Sequence, residues 1–447
     1  MPPGYSFLQS MVRTYKQVKD PIGTMEESMD RFDGTYSVNL GLKRMIVTQD
    51  PGFIDHVLRV NHKNYPKSPI QTDQLGKFLG KGLLTSNGEY WLKQRRLIQP
   101  GFHMDKIHNL YGIIKRTTDQ FLDKFPTGRH IDVYPLMYQF AFEIVINSLF
   151  NIKVPLEDQR RLSEFIREVQ EFVIKEVRQP HKNWWFSLSG EVKRNLDRAK
   201  GARQIIFNII QERQNSAQRF DDLLDMLLDA RYEDNGMPMH VNQVIDEILI
   251  LLIAGHETTA NALAWSLYLL ATHENELVKV KNASYNLSVV DSVSCDELNA
   301  VIKESMRLYP PAWISDRVAI NDDAYRNFTF PKDSIIIVFY YGLHRDQKYW
   351  KNPESFKPDR FYKSTADKEK VKAFYPFGAG PRLCIGNNFA MAEMAIFLQS
   401  AVNRFDFKPT GISPKMNPLV TLRPDQIILD VKKIGEFSQS GTAEHRH

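Results

Sequence analysis

The sequence has little cysteine and no large excess of charge of either sign. Two of its 447 residues are cysteine, Cys295 and Cys384, so its architecture does not rest on disulfide bonds, and a reducing compartment fits. Lysine and arginine total 58 against 53 aspartate and glutamate residues, which leaves a net charge of +5. No basic run interleaved with aromatic residues accompanies this small excess, so we expect no binding of nucleic acid.

The sequence also lacks an apolar run at its N-terminus. The first twenty residues, MPPGYSFLQSMVRTYKQVKD, contain neither the core of a signal peptide nor that of a membrane anchor. The one long apolar stretch, Glu247–Ala271, carries His256 and Glu257 at its centre. Because a charge at mid-bilayer costs about 2.5–3.5 kcal/mol, we predict a helix buried in a cytoplasmic protein without integral membrane association.

One of the two cysteines lies in a segment that favours metal binding. Cys384 belongs to the glycine-rich segment FGAGPRLCIG, after which a helical pattern begins at Asn387. Glycines allow the backbone to approach a flat ligand closely, and the amides of such a loop, followed by a helix N-terminus, favour a negatively charged sulfur. The segment therefore predicts a thiolate bound to a metal, with Arg382 pairing with an anionic group of the same ligand.

This segment resembles the haem-binding loop of the cytochrome P450 family, written F-x-x-G-x-R-x-C-x-G. The resemblance implies that Cys384 is the axial ligand of the iron in a b-type haem. The alternative for a lone cysteine is a buried thiol in a glycine-rich turn. The resemblance assigns cofactor binding to four further residues of the loop: Phe377, Gly378, Arg382 and Gly386.

Two other segments resemble parts of the family that bind the haem propionates. Trp91 and Arg95 are spaced i, i+4 on a predicted helix, hence on one face, and match the family's W-x-x-x-R motif. Taken without the family, they are equally well a cation–π pair at the surface. Arg317 lies where the family has a strand beside the haem. The resemblance implies that these three side chains and Arg382 hold the propionates.

The central segment AGHETT lies in a helix predicted over about residues 241–272. The small pair Ala254 and Gly255 lets a flat cofactor approach, and Thr258 can bond the carbonyl four residues earlier. Glu257 is costly in so apolar a helix, so it is a functional candidate that could carry protons. The segment resembles the family's oxygen-binding groove, which implies that Glu257 and Thr258 deliver protons. The alternative is a polar patch facing solvent.

Two segments downstream resemble the family's structural lock. Glu304 and Arg307, spaced i, i+3 in a helix predicted over Asp296–Leu308, match the E-x-x-R motif. An exposed ion pair of this kind contributes only a few tenths of a kcal/mol. In the family the pair is buried and joined by a later arginine, here Arg360. The resemblance therefore implies a buried cluster of all three side chains.

The resemblance covers roughly residues 30–433 and implies a mainly α fold with small β-sheets. In this fold the haem lies between the long central helix and the cysteine loop. We predict one catalytic domain over 1–433 and a disordered tail over 434–447. Patterns along the chain predict further elements: strands at Tyr36–Leu40, Arg44–Thr48 and Phe330–Tyr341, a strand pair in Leu419–Val431, a helix at Pro51–Val60, irregular chain over 61–88 and weakly patterned chain over 273–296.

The implied function is that of a monooxygenase. Two electrons and two protons reduce one oxygen atom of O2 to water, and the other atom enters the substrate. No flavin or reductase segment follows Val431, so we expect a ferredoxin and its reductase as electron donors to a monomeric enzyme. The charged stretch Lys348–Lys372 could present a basic face to the donor. The alternatives are a peroxide-driven haem-thiolate enzyme and a non-catalytic haem gas sensor.

The substrate is predicted only by class. An apolar lipid or terpenoid is the first expectation. The polar stretch Trp313–Asp316 favours instead a small oxygenated substrate, such as a methyl ether or methylated sugar that undergoes O-demethylation. Trp184 and Trp185 lie where the family has a roof over the pocket, and we expect them to pack within that roof rather than to contact substrate.

Overall fold

The structure is a computed structural model that describes residues 1–40, 43–151, 154–216, 219–220, 222–364 and 372–435. Residues 41–42, between the first two predicted strands, lie outside these residues, as does the tail from 436 onward. The described chain ends just after Ile434, whose N–H donates to the carbonyl of Arg404 at 2.9 Å. The predicted disorder of the tail therefore stays a prediction.

Helices form most of the structure, as predicted. In chain order the α-helices are α1 (Phe7–Lys19), α2 (Pro21–Arg31), α3 (Pro51–Asp55), α4 (Gly76–Leu79), α5 (Gly88–Ile98), α6 (Met104–Asp123), α7 (Val133–Phe150), α8 (Leu156–Arg178), α9 (Asn183–Leu188), α10 (Glu191–Ser216), α11 (Leu223–Asp229), α12 (Val241–Thr272), α13 (Glu274–Ser284), α14 (Val289–Ser294), α15 (Asp296–Leu308), α16 (Tyr340–Leu343) and α17 (Asn387–Arg404).

The strands are short and form four small sheets among the described residues. They are β1 (Gly4–Tyr5), β2 (Thr35–Leu40), β3 (Lys43–Thr48), β4 (Gly128–Asp132), β5 (Ile314–Val318), β6 (Asp323–Tyr325), β7 (Phe328–Phe330), β8 (Ile335–Phe339), β9 (Phe405–Pro409), β10 (Met416–Pro418), β11 (Leu422–Pro424) and β12 (Ile428–Lys433). The sheet orders are β1-β2-β3-β8-β5, β4-β12-β9, β6-β7 and β10-β11.

Helix α12 is the centre of the main hydrophobic core. It packs against α7, α10, α15 and α17, and almost all of its side chains from Val244 to Ala271 are buried. By length and composition α7 and α12 could each cross a membrane, but 61% and 78% of these apolar windows are buried inside the protein. The predicted boundaries of α12 are confirmed, and it is an interior helix, as expected.

Two predictions about strands are wrong, one in the extent of a strand and one in its pairing. Phe330–Tyr341 is not one strand. Phe330 ends β7, a turn closed by the Ser334 N–H on the Pro331 carbonyl (3.2 Å) separates it from β8, and α16 begins at Tyr340. The strands of the C-terminal stretch do not pair with each other. Strand β11 pairs with β10, whereas β12 lies between β4 and β9.

Regions predicted to be irregular contain short helices. Residues 61–88 form α4 and single turns of 3-10 and π-helix, which are held by buried residues such as Leu75 and Phe78. Residues 273–296 contain α13 and α14. The second of these helices begins where the Ser288 hydroxyl accepts a hydrogen bond from the N–H of Asp291. Such short helices lack the repeated period from which a helix is predicted.

The roof packing predicted for two tryptophans is wrong. Trp184 and Trp185 are 65% and 52% exposed on α9. The inward position of this short helix is taken by Phe186, which is 1% exposed. With only six residues, α9 can turn few side chains toward the core, and the indoles remain at the surface.

Candidate functional site

The backbone geometry of the cysteine loop requires glycine at two positions. Gly378 and Gly380 have φ angles of 72° and 67°, a region that favours glycine. A Cβ atom on Gly380 would lie 1.9 Å from the carbonyl oxygen of Leu58, so this position also requires close backbone approach. The Cys384 N–H donates to the Phe377 carbonyl at 3.0 Å, which closes the loop upon itself.

The Cys384 side chain is exposed. Protein atoms around the sulfur nevertheless raise the pKa of the thiol, because they disfavour its charged form. The Gly386 N–H and the Arg95 guanidinium oppose this rise and stabilise the thiolate. Arg95 also donates through Nη1 to the Leu383 carbonyl at 3.0 Å, so it lies against the cysteine loop.

The side chain of Arg382 joins the cysteine loop to the start of α5. Its guanidinium donates to the Ser86 carbonyl at 2.9 Å and to Oδ1 of Asn87 at 3.0 Å. The same group lies 3.6 Å from the centroid of the Trp91 ring. The structure thus brings Trp91 and Arg382 together as a cation–π pair, whereas the sequence interpretation placed both on a propionate.

Arg317 lies on β5 and is buried, with 8% exposure. Its Nη1 donates to the Asp316 carbonyl at 2.6 Å. The carboxylate of Asp316 is occupied elsewhere, because it accepts hydrogen bonds from the Ser68 hydroxyl and the Gln71 amide. Arg317 therefore has no carboxylate partner within the described part of the chain.

Lys67 is a site residue that the sequence interpretation missed. Its ammonium group is buried and donates to the carbonyls of Leu84 at 2.7 Å and Leu83 at 3.5 Å. Burial, together with the nearby charges of Arg317 and Arg382, lowers its pKa well below the usual value. A lysine inside an irregular loop carries no motif, so only the folded chain shows that it joins this cluster.

Four cations thus lie close together, and the nearby Asp316 carboxylate offsets their charge only in part. Lys67, Arg95, Arg317 and Arg382 form no ion pair among the described residues. Burial and the charges of Arg317 and Arg95 lower the pKa of Arg382 to about 9. Such a cluster is stabilised by an anionic ligand, and carboxylate groups match the guanidinium donors well.

The AGHETT segment lies on the one accessible part of α12. Ala254 is the only exposed residue of the helix between positions 243 and 271. Gly255 packs closely, since a Cβ atom there would lie 3.3 Å from Cγ2 of Val145. The Thr258 hydroxyl donates to the Ala254 carbonyl at 2.8 Å, the i−4 bond considered from sequence. Small side chains therefore leave space beside the helix where the sequence interpretation placed the cofactor.

Glu257 lies on the opposite, buried side of this segment. Its Oε1 accepts a hydrogen bond from the Thr421 hydroxyl at 2.7 Å, and that hydroxyl accepts one from Nδ2 of Asn261 at 2.9 Å. Oε2 has no hydrogen-bond partner in the described chain. Burial raises the pKa of Glu257, and Thr421 and Arg423 lower it. Thr421 is a second residue that the sequence interpretation missed.

The three residues of the predicted lock form one buried cluster. Arg307 donates to both carboxylate oxygens of Glu304, at 2.7 and 2.8 Å, and Arg360 donates to the same carboxylate at 3.2 Å. Arg307 also donates to the carbonyl of His344 at 2.9 Å. The cluster connects α15 to the segment around Arg360, which precedes the cysteine loop.

The donor set fits a haem rather than a metal held by protein side chains alone. No three His, Cys, Asp or Glu side chains cluster in the part of the chain that the structure describes. A metal at Cys384 therefore needs its other ligands from a cofactor. A thiolate loop, an accessible small-residue face and buried cations for carboxylate groups are the features that a haem requires. Fold and site together define a haem-thiolate protein.

Comparison with known families agrees with this assignment. The family model described as Cytochrome P450 matches residues 1–431, so the chain belongs to the cytochrome P450 family. It is therefore a haem-thiolate monooxygenase with a b-type haem. The mainly α fold with small sheets is confirmed.

Several relatives are similar over most of their length. The chain is 29% identical over 383 residues to cyclooctat-9-en-7-ol 5-monooxygenase of Streptomyces melanosporofaciens, with 83% of this chain and 82% of the relative covered. It is 28% identical to echinocystic acid 23-monooxygenase of Saponaria officinalis, with coverage of 79% and 73%. The crystal structure of the cytochrome P450DA heme domain superimposes with a TM-score of 0.84 and 19% identity, covering 92% and 93% of the two chains.

The residues of the site have different roles. Bound haem supplies the activation of oxygen that thiolate ligation favours. Cys384 would ligate the iron, and Lys67, Arg317 and Arg382 would hold the propionates. Arg95 stabilises the thiolate, and the Glu257 carboxyl, buried and poorly solvated, can hold and release a proton.

Proposed function

We propose that this enzyme hydroxylates a largely hydrocarbon, terpenoid- or lipid-like molecule in the cytoplasm, as a monomer supplied with electrons by a ferredoxin and its reductase. The observation that supports this substrate class is the hydrogen bonding of the polar stretch Trp313–Asp316. Each polar side chain of this stretch already has a hydrogen-bond partner within the protein.

The indole N–H of Trp313 donates to the Leu419 carbonyl at 3.1 Å. The hydroxyls of Ser315 and Tyr340 lie 2.9 Å apart. The carboxylate of Asp316 is held by two side chains, as described above. An oxygenated ligand such as a methylated sugar needs polar groups that are left for it, because unmatched polar groups lower affinity. Because the polar groups of this stretch are already hydrogen-bonded within the protein, they support hydroxylation of an apolar substrate over O-demethylation of a methyl ether.

The names of the relatives support the same class. One acts on cyclooctat-9-en-7-ol, whose name describes an unsaturated hydrocarbon with one hydroxyl group. Another acts on echinocystic acid. We infer a substrate that binds chiefly by burial of apolar area, at about 25 cal/mol per Å².

The choice of O2 over peroxide rests on Glu257 and Thr258. The buried Glu257 carboxyl can hold and release a proton, and the hydroxyl of the next residue, Thr258, lies at the accessible face of α12. Together these groups support the delivery of protons to oxygen. A peroxide-driven enzyme has no need of such a pair, and a gas sensor needs no proton delivery. Consumption of O2 that depends on an electron donor, with little product from hydrogen peroxide alone, supports the monooxygenase reading.

The electron donor is proposed from charge. Among the exposed lysines of the segment before the cysteine loop are Lys351, Lys357 and Lys363. They form no ion pair with another described residue, and an acidic ferredoxin is complementary to them. Residues 365–371 of the predicted basic stretch lie outside the described chain.

The proposal is tested on the ferric holoenzyme by titration with candidate substrates. A low-to-high-spin shift with cyclic terpene alcohols or fatty acids, followed by a hydroxylated product, supports the substrate class. A shift and demethylation with methylated sugars only would refute it. Lys357→Glu/Lys363→Glu should slow reduction by ferredoxin, whereas the matched control Lys200→Glu/Lys332→Glu should not. Equal reduction rates in both variants would refute the basic docking face.

A further inference from the structure

A cavity of about 500 Å³ lies between α5, the start of α6 and α11, and residues 230–234, here called the covering loop, form its remaining side. This volume is within the range of sites that bind small molecules. Lys93 and Arg96 line the cavity from one side of α5. Trp91 and Arg95, which belong to the haem site, lie on the opposite side of the same helix, because each residue of a helix adds a rotation of about 100°. The cavity is therefore separate from the haem site.

The floor of the cavity is apolar. Its apolar side chains come from each of the elements that surround it, and they are Leu97, Pro100, Leu110, Leu223, Met226 and Ala230. The side chain of Met226 lies directly against the backbone of Gly101, where there is no room for a Cβ atom. This close packing fixes the floor, and such a surface suits the hydrocarbon part of a ligand.

The covering loop is fixed to α5. The Tyr232 hydroxyl accepts a hydrogen bond from Nε2 of Gln94 at 2.8 Å. The Lys93 ammonium lies 2.6 Å from the Asp234 carboxylate. Within the loop region, the Tyr232 N–H donates to the Met237 carbonyl at 3.0 Å. These bonds hold the wall of the cavity in place, so little reorganisation opposes the binding of a ligand.

The carboxylates that line the cavity are all paired with basic side chains. Each of them lies 3.8 Å or less from a lysine or arginine nitrogen. The pairs are Asp222 and Asp225 with Arg213, Asp229 with Arg219, Glu233 with Arg96, and Asp234 with Lys93. No carboxylate of the cavity is therefore left for a cationic ligand.

Two basic residues that line the cavity have no carboxylate partner within the described part of the chain. The ammonium group of Lys106 forms no hydrogen bond or ion pair there. The guanidinium of Arg231 donates only to the carbonyls of Leu228 and Ala230, at 2.9 and 3.0 Å. The charge that remains unpaired at the cavity is therefore positive, and it favours an anionic group on the ligand.

We propose that this cavity binds a small amphipathic anion, whose hydrocarbon chain packs on the apolar floor and whose carboxylate pairs with Lys106 and Arg231. The anion of a medium-chain fatty acid has this chemistry. A neutral molecule of the same shape leaves both cations without a partner, and a cationic one meets two like charges. This inference is independent of the substrate and of the electron donor proposed above, because the site lies on the other side of α5 from the haem site.

The test is equilibrium dialysis of radiolabelled decanoate against the holoenzyme saturated with 4-phenylimidazole. Fatty acids are among the proposed substrates, so this ligand of the haem iron is needed to keep the probe out of the substrate pocket. One decanoate per protein is expected, with affinity that falls as salt is added. Decanol has the same chain without the charge and should bind about tenfold more weakly. No saturable binding of decanoate, or equal binding of decanol, would overturn the proposal.

Ala230→Phe tests the cavity itself. The added ring projects from the covering loop into the space that the ligand needs, so saturable binding of decanoate should be lost. Ala324→Phe is the matched control, because it places the same ring at an exposed position on β6 and should bind decanoate normally. Unchanged binding by Ala230→Phe, or equal loss in both variants, would refute a site in this cavity.

Lys106→Gln tests the anionic group without filling the cavity, and it decides the matter if Ala230→Phe does not fold. Affinity for decanoate should fall by about fivefold, as expected for one solvent-exposed ion pair. Lys124→Gln is the control, since this exposed lysine lies just after the other end of α6, about 27 Å away along the helix. Equal affinities in the two lysine variants would refute the pairing with Lys106.

Discussion

The guanidinium of Arg382 lies 3.6 Å from the ring centroid of Trp91, and this contact joins the cysteine loop to α5. The two residues are far apart in sequence, yet each orients the other beside the cluster of cations. The contact also explains why partial burial of Arg382 is tolerated, since the ring face replaces part of its lost hydration. Burial and the charges of Arg317 and Arg95 lower the pKa of Arg382 to about 9.

Arg382→Met should weaken haem retention. The substitution keeps much of the side-chain volume but removes a charged donor, and a hydrogen bond to a charged group contributes about 1.5–3 kcal/mol, or about 10–100-fold in affinity. The measurement is the rate of haem transfer to an apoprotein acceptor. Arg96→Met, on exposed surface of the same helix α5, is the control and should retain haem normally. Equal rates in both variants would remove Arg382 from the cofactor site.

Glu304→Gln should destabilise the protein strongly. It leaves the buried guanidinium of Arg307 without a compensating charge, and loss of one partner from a buried ion pair costs about 3–5 kcal/mol. Urea unfolding followed by absorbance of the haem measures this cost. Glu157→Gln removes a carboxylate that is shared by two arginines at the surface, and little change is expected there. Similar midpoints for the two variants would contradict the structural lock.

Thr421→Val should impair proton delivery without removing Glu257. The Thr421 hydrogen bond lowers the pKa of Glu257, so its loss raises that pKa further. Because Glu257 delivers protons from its protonated form, the alkaline limb of the pH profile of kcat should move to higher pH, and turnover should fall by about tenfold as the carboxyl loses the hydrogen bond that positions it. Thr272→Val, at the exposed end of α12, is the control. A lower kcat without any shift of the pH profile would indicate a purely structural role for Thr421.

Glu247 should make stability depend on pH. Its carboxylate accepts hydrogen bonds from the Leu83 N–H at 3.0 Å and from Gln243 at 2.9 Å, and burial raises its pKa from 4.5 to about 7. The folded protein therefore binds this proton more tightly than the unfolded chain. The contribution of Glu247 to the unfolding free energy should fall by on the order of 3 kcal/mol as pH rises from 4.5 to about 7, and it should level off above pH 7.

Glu247→Gln isolates the contribution of Glu247 to the pH dependence of stability, because the amide resembles the protonated carboxyl. Relative to the unaltered protein, this variant should gain stability between pH 5 and pH 8. Urea midpoints measured across this range provide the test, with the exposed Glu164→Gln as control. Parallel curves for the Glu247 variant and the unaltered protein would show that Glu247 is not the titrating group.

The sequence was sufficient to predict the local geometry that short motifs specify. Cys384 and its glycines, the Ala254–Thr259 segment and the E-x-x-R pair have fixed spacings, and their geometry follows from one loop or one helix. Lys67 and Thr421 could not be predicted in this way. Each acquires its role only when a distant segment folds beside it, for example when β11 brings Thr421 next to α12.

The same distinction explains the errors in secondary structure. Helix α12 has a long apolar pattern, and its ends were predicted correctly. The strands β11 and β12 are adjacent in sequence but belong to separate sheets, because Asp132 accepts from the Ile427 N–H and begins the pairing with β4. The exposed indoles of Trp184 and Trp185 were misassigned because an apolar residue is ordinarily expected to be inside.

The largest sheet also affects the order in which the chain can fold. Strand β3 pairs with β8 in parallel, Met45 opposite Ile335, about 290 residues later. At a synthesis rate of about 5–20 residues per second, roughly 15–60 s pass before β3 can meet its partner. During that interval the hairpin β2–β3 exposes an open strand edge, which can pair with other chains. Heterologous production of this protein should therefore improve with slower initiation and with added chaperones that shield nascent strands.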